Sequence, residues 1–106
     1  MGRKVIWTPR AAALVEEAAR HIEVDSPAAA FKLVTDTFAI AESLSELPDR
    51  GRIVPELSRS KYREVFVGRY RLIYRVGADH VAIIAFVHGA RDFRSWWRRY
   101  RGGLPN

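Results

Sequence analysis

Apolar residues recur at intervals of three and four along the first half of the chain. In the second half they alternate or run together, and the change falls at Pro48-Asp49-Arg50-Gly51. Lys4 to Trp7 reads as a short opening strand. Thr8-Pro9 then supplies a hydroxyl cap and a proline whose missing N–H is not needed at the first helical position. Ala12, Val15, Ala18, Ala19 and Ile22 follow at helical spacing, with Glu16, Glu17 and Arg20 off that stripe. Asp25-Ser26-Pro27 repeats the start signal, and Phe31, Val34, Phe38, Ala41 and Leu44 form the expected buried stripe of a second helix. A connection this short makes the two helices antiparallel neighbours, a helical hairpin.

Three segments rich in β-branched and aromatic residues follow: Tyr62 to Val67, Tyr70 to Val76 and Val81 to Val87. Gly68-Arg69 joins the first two, and glycine at the first turn position suits a type II′ hairpin. That turn sets Val67 against Tyr70, Val65 against Leu72 and Phe66 against Arg71. If Val76 pairs with Val81, an unbroken register sets Leu72 against Ala85, Ile73 against Ile84 and Arg71 against Phe86. The pairing sorts the sheet into two faces. One carries Val65, Val67, Tyr70, Leu72, Tyr74, Val76, Val81, Ile83, Ala85 and Val87, enough apolar surface to receive the helices. The other carries Tyr62, Glu64, Phe66, Arg71, Ile73, Arg75, Ile84, Phe86 and His88, and is expected to be open, a mixed aromatic and charged surface fit for a partner. Asp92 caps a last short helix with Phe93, Trp96, Trp97 and Tyr100 on one side and Arg94, Arg98 and Arg101 on the other. The expected fold is α+β: an N-terminal strand, an antiparallel helical hairpin on one face of a small antiparallel sheet with a three-stranded C-terminal meander, and a short C-terminal helix, all within one domain spanning residues 1–106.

Charge sharpens this picture. The formal net charge is +6, but residues 1–49 hold five cations against eight acids, a net of −3, and residues 50–106 hold thirteen against four, a net of +9. Most of these cations are arginine, whose planar fork matches phosphate and carboxylate, so the second half is expected to face an anionic partner. The chain has no cysteine, which excludes disulfides, thiolate nucleophiles and Cys-bound zinc. His21 and His80 stand alone, so neither a metal nor a cofactor is expected. No apolar run approaches the roughly 18 residues of a membrane span, and a cytoplasmic protein is expected.

The ordered motifs Ser26-Pro27-Ala28-Ala29-Ala30, Leu47-Pro48-Asp49-Arg50-Gly51-Arg52, Pro55-Glu56-Leu57, Tyr62-Arg63-Glu64-Val65, Gly68-Arg69-Tyr70-Arg71-Leu72-Ile73-Tyr74-Arg75 and His88-Gly89-Ala90-Arg91-Asp92 resemble the RelE/ParE superfamily of bacterial type II toxins. The resemblance covers nearly the whole chain. It implies a growth-inhibiting toxin silenced by a cognate antitoxin, whose acidic and apolar segment wraps it in a hetero-oligomer. It also poses a choice of target. ParE-like members poison DNA gyrase by binding, whereas RelE-like members cut ribosome-bound mRNA and need groups for proton transfer and phosphate stabilisation.

Arg71 matches the strand arginine of the RelE-like nucleases, and Arg91 resembles a second phosphate-binding arginine. Their lysine positions fall at Glu64 and Phe66 by cross-strand register, or near Arg63 by plain alignment, and Trp97 stands where RelE has a tyrosine. These replacements favour the ParE-like branch. A YoeB-like nuclease set remains as the alternative, with Glu56 as base, Arg71 on the phosphate and His88 as acid. A third possibility is a non-toxic module that only binds an antitoxin. The resemblance and the expected open face together mark Arg63, Glu64, Phe66, Arg71, Arg75, Phe86, His88, Arg91, Trp96, Trp97 and Arg98 as the target- or antitoxin-binding set. Two structural readings stand beside this one: Arg71 and Arg75 around Glu64 as an ion-pair cluster, and a tryptophan of the last helix as the seal of the core.

Overall fold

The computed structural model describes residues 2–104. Strand β1 (Lys4–Trp7) leads into helices α1 (Pro9–Glu23) and α2 (Pro27–Ser43). A two-residue strand β2 (Arg52–Ile53) and a 3₁₀ turn at Pro55–Leu57 follow, and then β3 (Tyr62–Val67), β4 (Tyr70–Val76), β5 (His80–His88) and α3 (Phe93–Tyr100). Both long helices start as their caps dictate: Thr8 Oγ1 accepts from the Ala11 N–H and Ser26 Oγ from the Ala29 N–H, each at 3.1 Å, with proline opening each helix.

The sheet has five strands in the order β1-β5-β4-β3-β2. β1 joins parallel to β5, and the short edge strand β2, which the sequence pattern did not reveal, pairs Arg52 with Glu64. The first hairpin keeps its expected register, with Val67 opposite Tyr70 and Phe66 opposite Arg71. Gly68 holds φ +57° and no other described residue has positive φ, which fits the type II′ turn.

The second hairpin departs from the expected register. Val76 pairs with Val81 and Tyr74 with Ile83, but Ile73 then pairs with Ala85, because Ile84 is an extra residue in β5. This bulge advances the register by one, so Leu72 faces Phe86, Arg71 faces Val87 and Tyr70 faces His88. Tyr100 satisfies the bulge: its hydroxyl donates to the Ile84 carbonyl at 2.6 Å.

The bulge redistributes the side chains between faces. Phe86 joins Leu72, Tyr74, Val81 and Ile83 in the core under the helical hairpin. Ala85 and Val87, expected on that side, turn to the other and join Ile73 and Ile84. The second face thereby gains an apolar floor, and the α3 residues Phe93, Trp96, Trp97 and Tyr100 settle on it with Val54 to form a second core. The face expected to be open is therefore covered by the chain's own C-terminal helix. The molecule has three layers: hairpin, sheet and α3.

The α2 stripe holds at Val34, Ala41 and Leu44, which pack into the core, and differs at its aromatics. Ala30, Leu33, Thr37 and Ala41 are the buried residues of the helix, whereas Phe31 is 72% exposed and Phe38 46% exposed. Small residues let α2 lie close to its neighbours, and Thr37 remains buried because its hydroxyl donates to the Leu33 carbonyl at 2.6 Å. At the end of the hairpin, the Tyr74 hydroxyl donates to the Pro48 carbonyl and accepts from the Gly51 N–H, at 2.7 and 2.8 Å. A Cβ at Gly51 would lie 2.3 Å from the Glu64 carbonyl oxygen, so this close approach requires glycine. No helix among the described residues is long and apolar enough to cross a membrane.

Candidate functional site

The sheet face beneath α3 holds a chain of four alternating charges. Glu64 on β3 is 1% exposed and Arg71 on β4 is 5% exposed. The 3₁₀ turn brings Glu56 to them from one side, and β2 brings Arg52 from the other. Arg71 Nε donates to Glu64 Oε1 at 2.6 Å, while its two terminal nitrogens donate to both oxygens of Glu56 at 3.0 and 2.6 Å. The other Glu64 oxygen accepts from Arg52 Nε at 2.8 Å. The Phe93 ring covers the guanidinium, with its centroid 4.3 Å from Cζ.

Burial opposes the positive charge of Arg71, but the hydrogen bonds to Glu56 and Glu64 outweigh it and raise the guanidinium pKa above its ordinary value. The same bond holds Glu56 below the ordinary carboxylate value of 4.5, against a smaller effect of burial. Arg94 steadies the turn by donating to the Glu56 carbonyl at 3.1 Å. Every side of the Arg71 fork therefore meets a carboxylate. A phosphate reaches this guanidinium only by displacing Glu56 and lifting Phe93.

The bulge separates the expected catalytic trio. Glu56 and Arg71 meet, but His88 stands on the helix side of the sheet, edge-on to Tyr70 with ring centroids 5.1 Å apart. His88 Nδ1 accepts from the Ala90 N–H at 3.0 Å, and the ring borders the same groove as His21. A proton donor on one face of a sheet does not serve a phosphate on the other.

Of the remaining candidates, Phe86, Arg91 and Trp96 line one cleft with His88; Arg75, Trp97 and Arg98 line another; and Arg63 and Phe66 stand apart. Arg63 points to the helix side, donating to the Gly51 carbonyl at 2.7 Å and lying 3.5 Å from Asp49. Phe66 is 48% exposed at the rim, 5.7 Å from the Arg52 guanidinium. Phe86 is core, stacked on Tyr70 at 4.8 Å. Trp96 and Trp97 are buried: Trp97 stacks on Phe93 at 5.7 Å and Trp96 on Tyr100 at 4.7 Å. They seal the second core, and only their edges reach the clefts beside α3. Arg75, Arg91 and Arg98 are exposed.

Sequence reasoning missed a groove of about 370 Å³ between the helical hairpin and the β3–β4 turn. Ile22, Leu33, Val67 and Tyr70 give it apolar walls, and at its rim stand Arg69 and Lys32, the latter ion-paired with Asp36 at 2.7 Å. The signal was faint, because its walls come from four elements far apart in the chain.

Known proteins agree with this architecture. The family described as "ParE toxin of type II toxin-antitoxin system, parDE" matches residues 5–93. "Toxin RelE2" of Caulobacter vibrioides is 34% identical over 88 residues, which cover 83% of this chain and 97% of that protein. Two solved structures share the fold. The chromosomal ParDE system of P. aeruginosa superposes with a TM-score of 0.69 at 21% identity, covering 81% of this chain and 95% of that one. The RelBE2 toxin–antitoxin complex of Mycobacterium tuberculosis superposes with 0.57 at 22%, covering 83% and 99%. The match to the family's profile ends at Phe93, so most of α3 lies beyond it. On this evidence the chain belongs to the ParE toxin family, within the RelE/ParE superfamily of type II toxin–antitoxin systems.

Proposed function

We propose that this toxin acts as a ParE-like inhibitor of DNA gyrase, working by binding, and that a cognate antitoxin neutralises it. The observation that carries the reading is the state of Arg71: two carboxylates hold it, an aromatic ring covers it, and His88 lies on the opposite face. Cleavage of RNA through its 2′-hydroxyl needs an acid, a base and a cation converging on one phosphate. A binding toxin needs none of these, and the family match points the same way. The antitoxin's apolar side chains find suitable chemistry in the groove walled by Ile22, Leu33 and Val67, with Arg69 at its rim for an acidic group. Both solved relatives come from toxin–antitoxin systems, and the M. tuberculosis structure is a complex with its antitoxin.

A ribosome-dependent nuclease is the second reading, favoured by the Glu56–Arg71 contact and by the similarity to a protein named RelE2. Inducible expression in bacteria separates the two. Filamentation with intact transcripts, unaltered by His88→Ala, supports the gyrase reading. Cleavage inside translated codons that His88→Ala abolishes overturns it.

A further inference from the structure

The α3 side of the molecule carries a cleft that the charge chain around Arg71 does not use. One part, about 480 Å³, is lined by Tyr62, Arg75, Trp97, Arg98, Arg101 and Leu104. It continues past Tyr62, Arg75 and Leu104 into a second part of about 540 Å³ that reaches Lys61 and His80. Neither part is lined by a carboxylate. Among the described residues Lys61, Arg75, Arg98 and Arg101 form no ion pair, although Arg52, Arg63 and Arg71 on the same sheet all do. Asp79 stands at the far end, already hydrogen-bonded to His80 at 2.9 Å. The result is a row of exposed arginines that no carboxylate among the described residues neutralises.

We infer that this cleft binds the phosphodiester backbone of duplex DNA. Guanidinium groups recognise phosphate by paired hydrogen bonds, and a row of them follows a polyanion. The aromatic residues argue for backbone contact and against stacking on bases: Tyr62 and Trp97 pack edge-on against each other at 5.0 Å, and Trp97 is buried. The competing occupant is an acidic protein segment, because the second part also has apolar walls from Val76, Ala82, Ile84 and Leu104; a row of cations running through both parts favours the evenly repeated charge of a phosphodiester backbone. The choice of DNA over RNA rests on the gyrase reading, since gyrase presents duplex DNA to whatever binds beside it.

The test is the salt dependence of binding of the full chain, without antitoxin, to a labelled duplex of about two turns. Three phosphate contacts predict a slope of log K against log salt of about −2.7, a loss of roughly 40-fold between 50 and 200 mM. Arg75→Gln and Arg98→Gln should each reduce that slope by about 0.9, while Arg20→Gln, on the far side of the molecule, leaves it unchanged. Slopes unaltered by Arg75→Gln and Arg98→Gln overturn the inference. So does tighter binding of an RNA duplex of equal length, or of a polyglutamate peptide. Gyrase supercoiling measured on the same variants keeps the two proposals apart. Gyrase inhibition without these DNA slopes removes the cleft and leaves the target, and the slopes without gyrase inhibition do the reverse.

Discussion

Arg71→Met replaces the guanidinium with an uncharged chain that still packs against Phe93. Glu64 then keeps a carboxylate with no solvent exposure, and its remaining partner, Arg52, is 61% exposed in its side chain. Breaking a buried pair from one side costs about 3–5 kcal/mol, because the surviving charge stays buried. For a domain of this size each kcal/mol lowers Tm by about 4–8 °C, so the variant should melt at least about 12 °C below the parent. The double variant Arg71→Met, Glu64→Leu removes both charges and should recover half or more of the loss. Thermal melts and urea titrations of the four proteins of this cycle measure the coupling directly. A Tm for Arg71→Met within about 3 °C of the parent, together with lost toxicity, would refute the reasoning and return Arg71 to the role of an exposed ligand-binding group.

The other expectations are smaller in scale. Leu72→Ala empties a fully buried position between sheet and hairpin and should cost about 2–5 kcal/mol in urea unfolding. Tyr74→Phe strands the Pro48 carbonyl and the Gly51 N–H, and should cost about 1–3 kcal/mol by the same measurement. Glu56 has its folded pKa lowered below 4.5 by Arg71, so its contribution to stability is complete above that value and is lost as pH falls through the folded pKa. Stability measured against pH should therefore show Glu56→Gln less stable than the parent near pH 7, with the gap closing below about pH 4.5.

Local signals settled much of this fold. Thr8-Pro9, Ser26-Pro27 and Asp92 cap their helices as read, and the Gly68 turn fixed the first hairpin's register. The second hairpin was misread because Val81 to Val87 is apolar throughout. With no polar alternation, nothing in the run marks Ile84 as an extra residue. That one residue moved Phe86 and His88 to the helix side and made the other face apolar enough to hold α3. The α2 stripe was right at Val34, Ala41 and Leu44 and wrong at its two aromatics: side-chain size suggested Phe31 and Phe38, whereas close packing chose Ala30, Leu33 and Thr37.

At the site, the ion-pair reading of Arg71 with Glu64 survives, and Arg75 drops out of it. Glu56 was singled out for its chemistry, yet its place beside Arg71 depends on a 3₁₀ turn whose direction no periodicity reveals. The tryptophans were legible as an apolar stripe, but whether such a stripe meets a partner or its own sheet depends on the floor beneath it. Here the floor was created by a bulge elsewhere in the chain.

The most direct measurement is gyrase supercoiling with the purified toxin, run beside a translating ribosome reaction under the same conditions. The account predicts dose-dependent loss of supercoiling, relieved by the cognate antitoxin, with the ribosome-bound mRNA left whole. Unimpaired supercoiling together with mRNA cut inside its codons would contradict it.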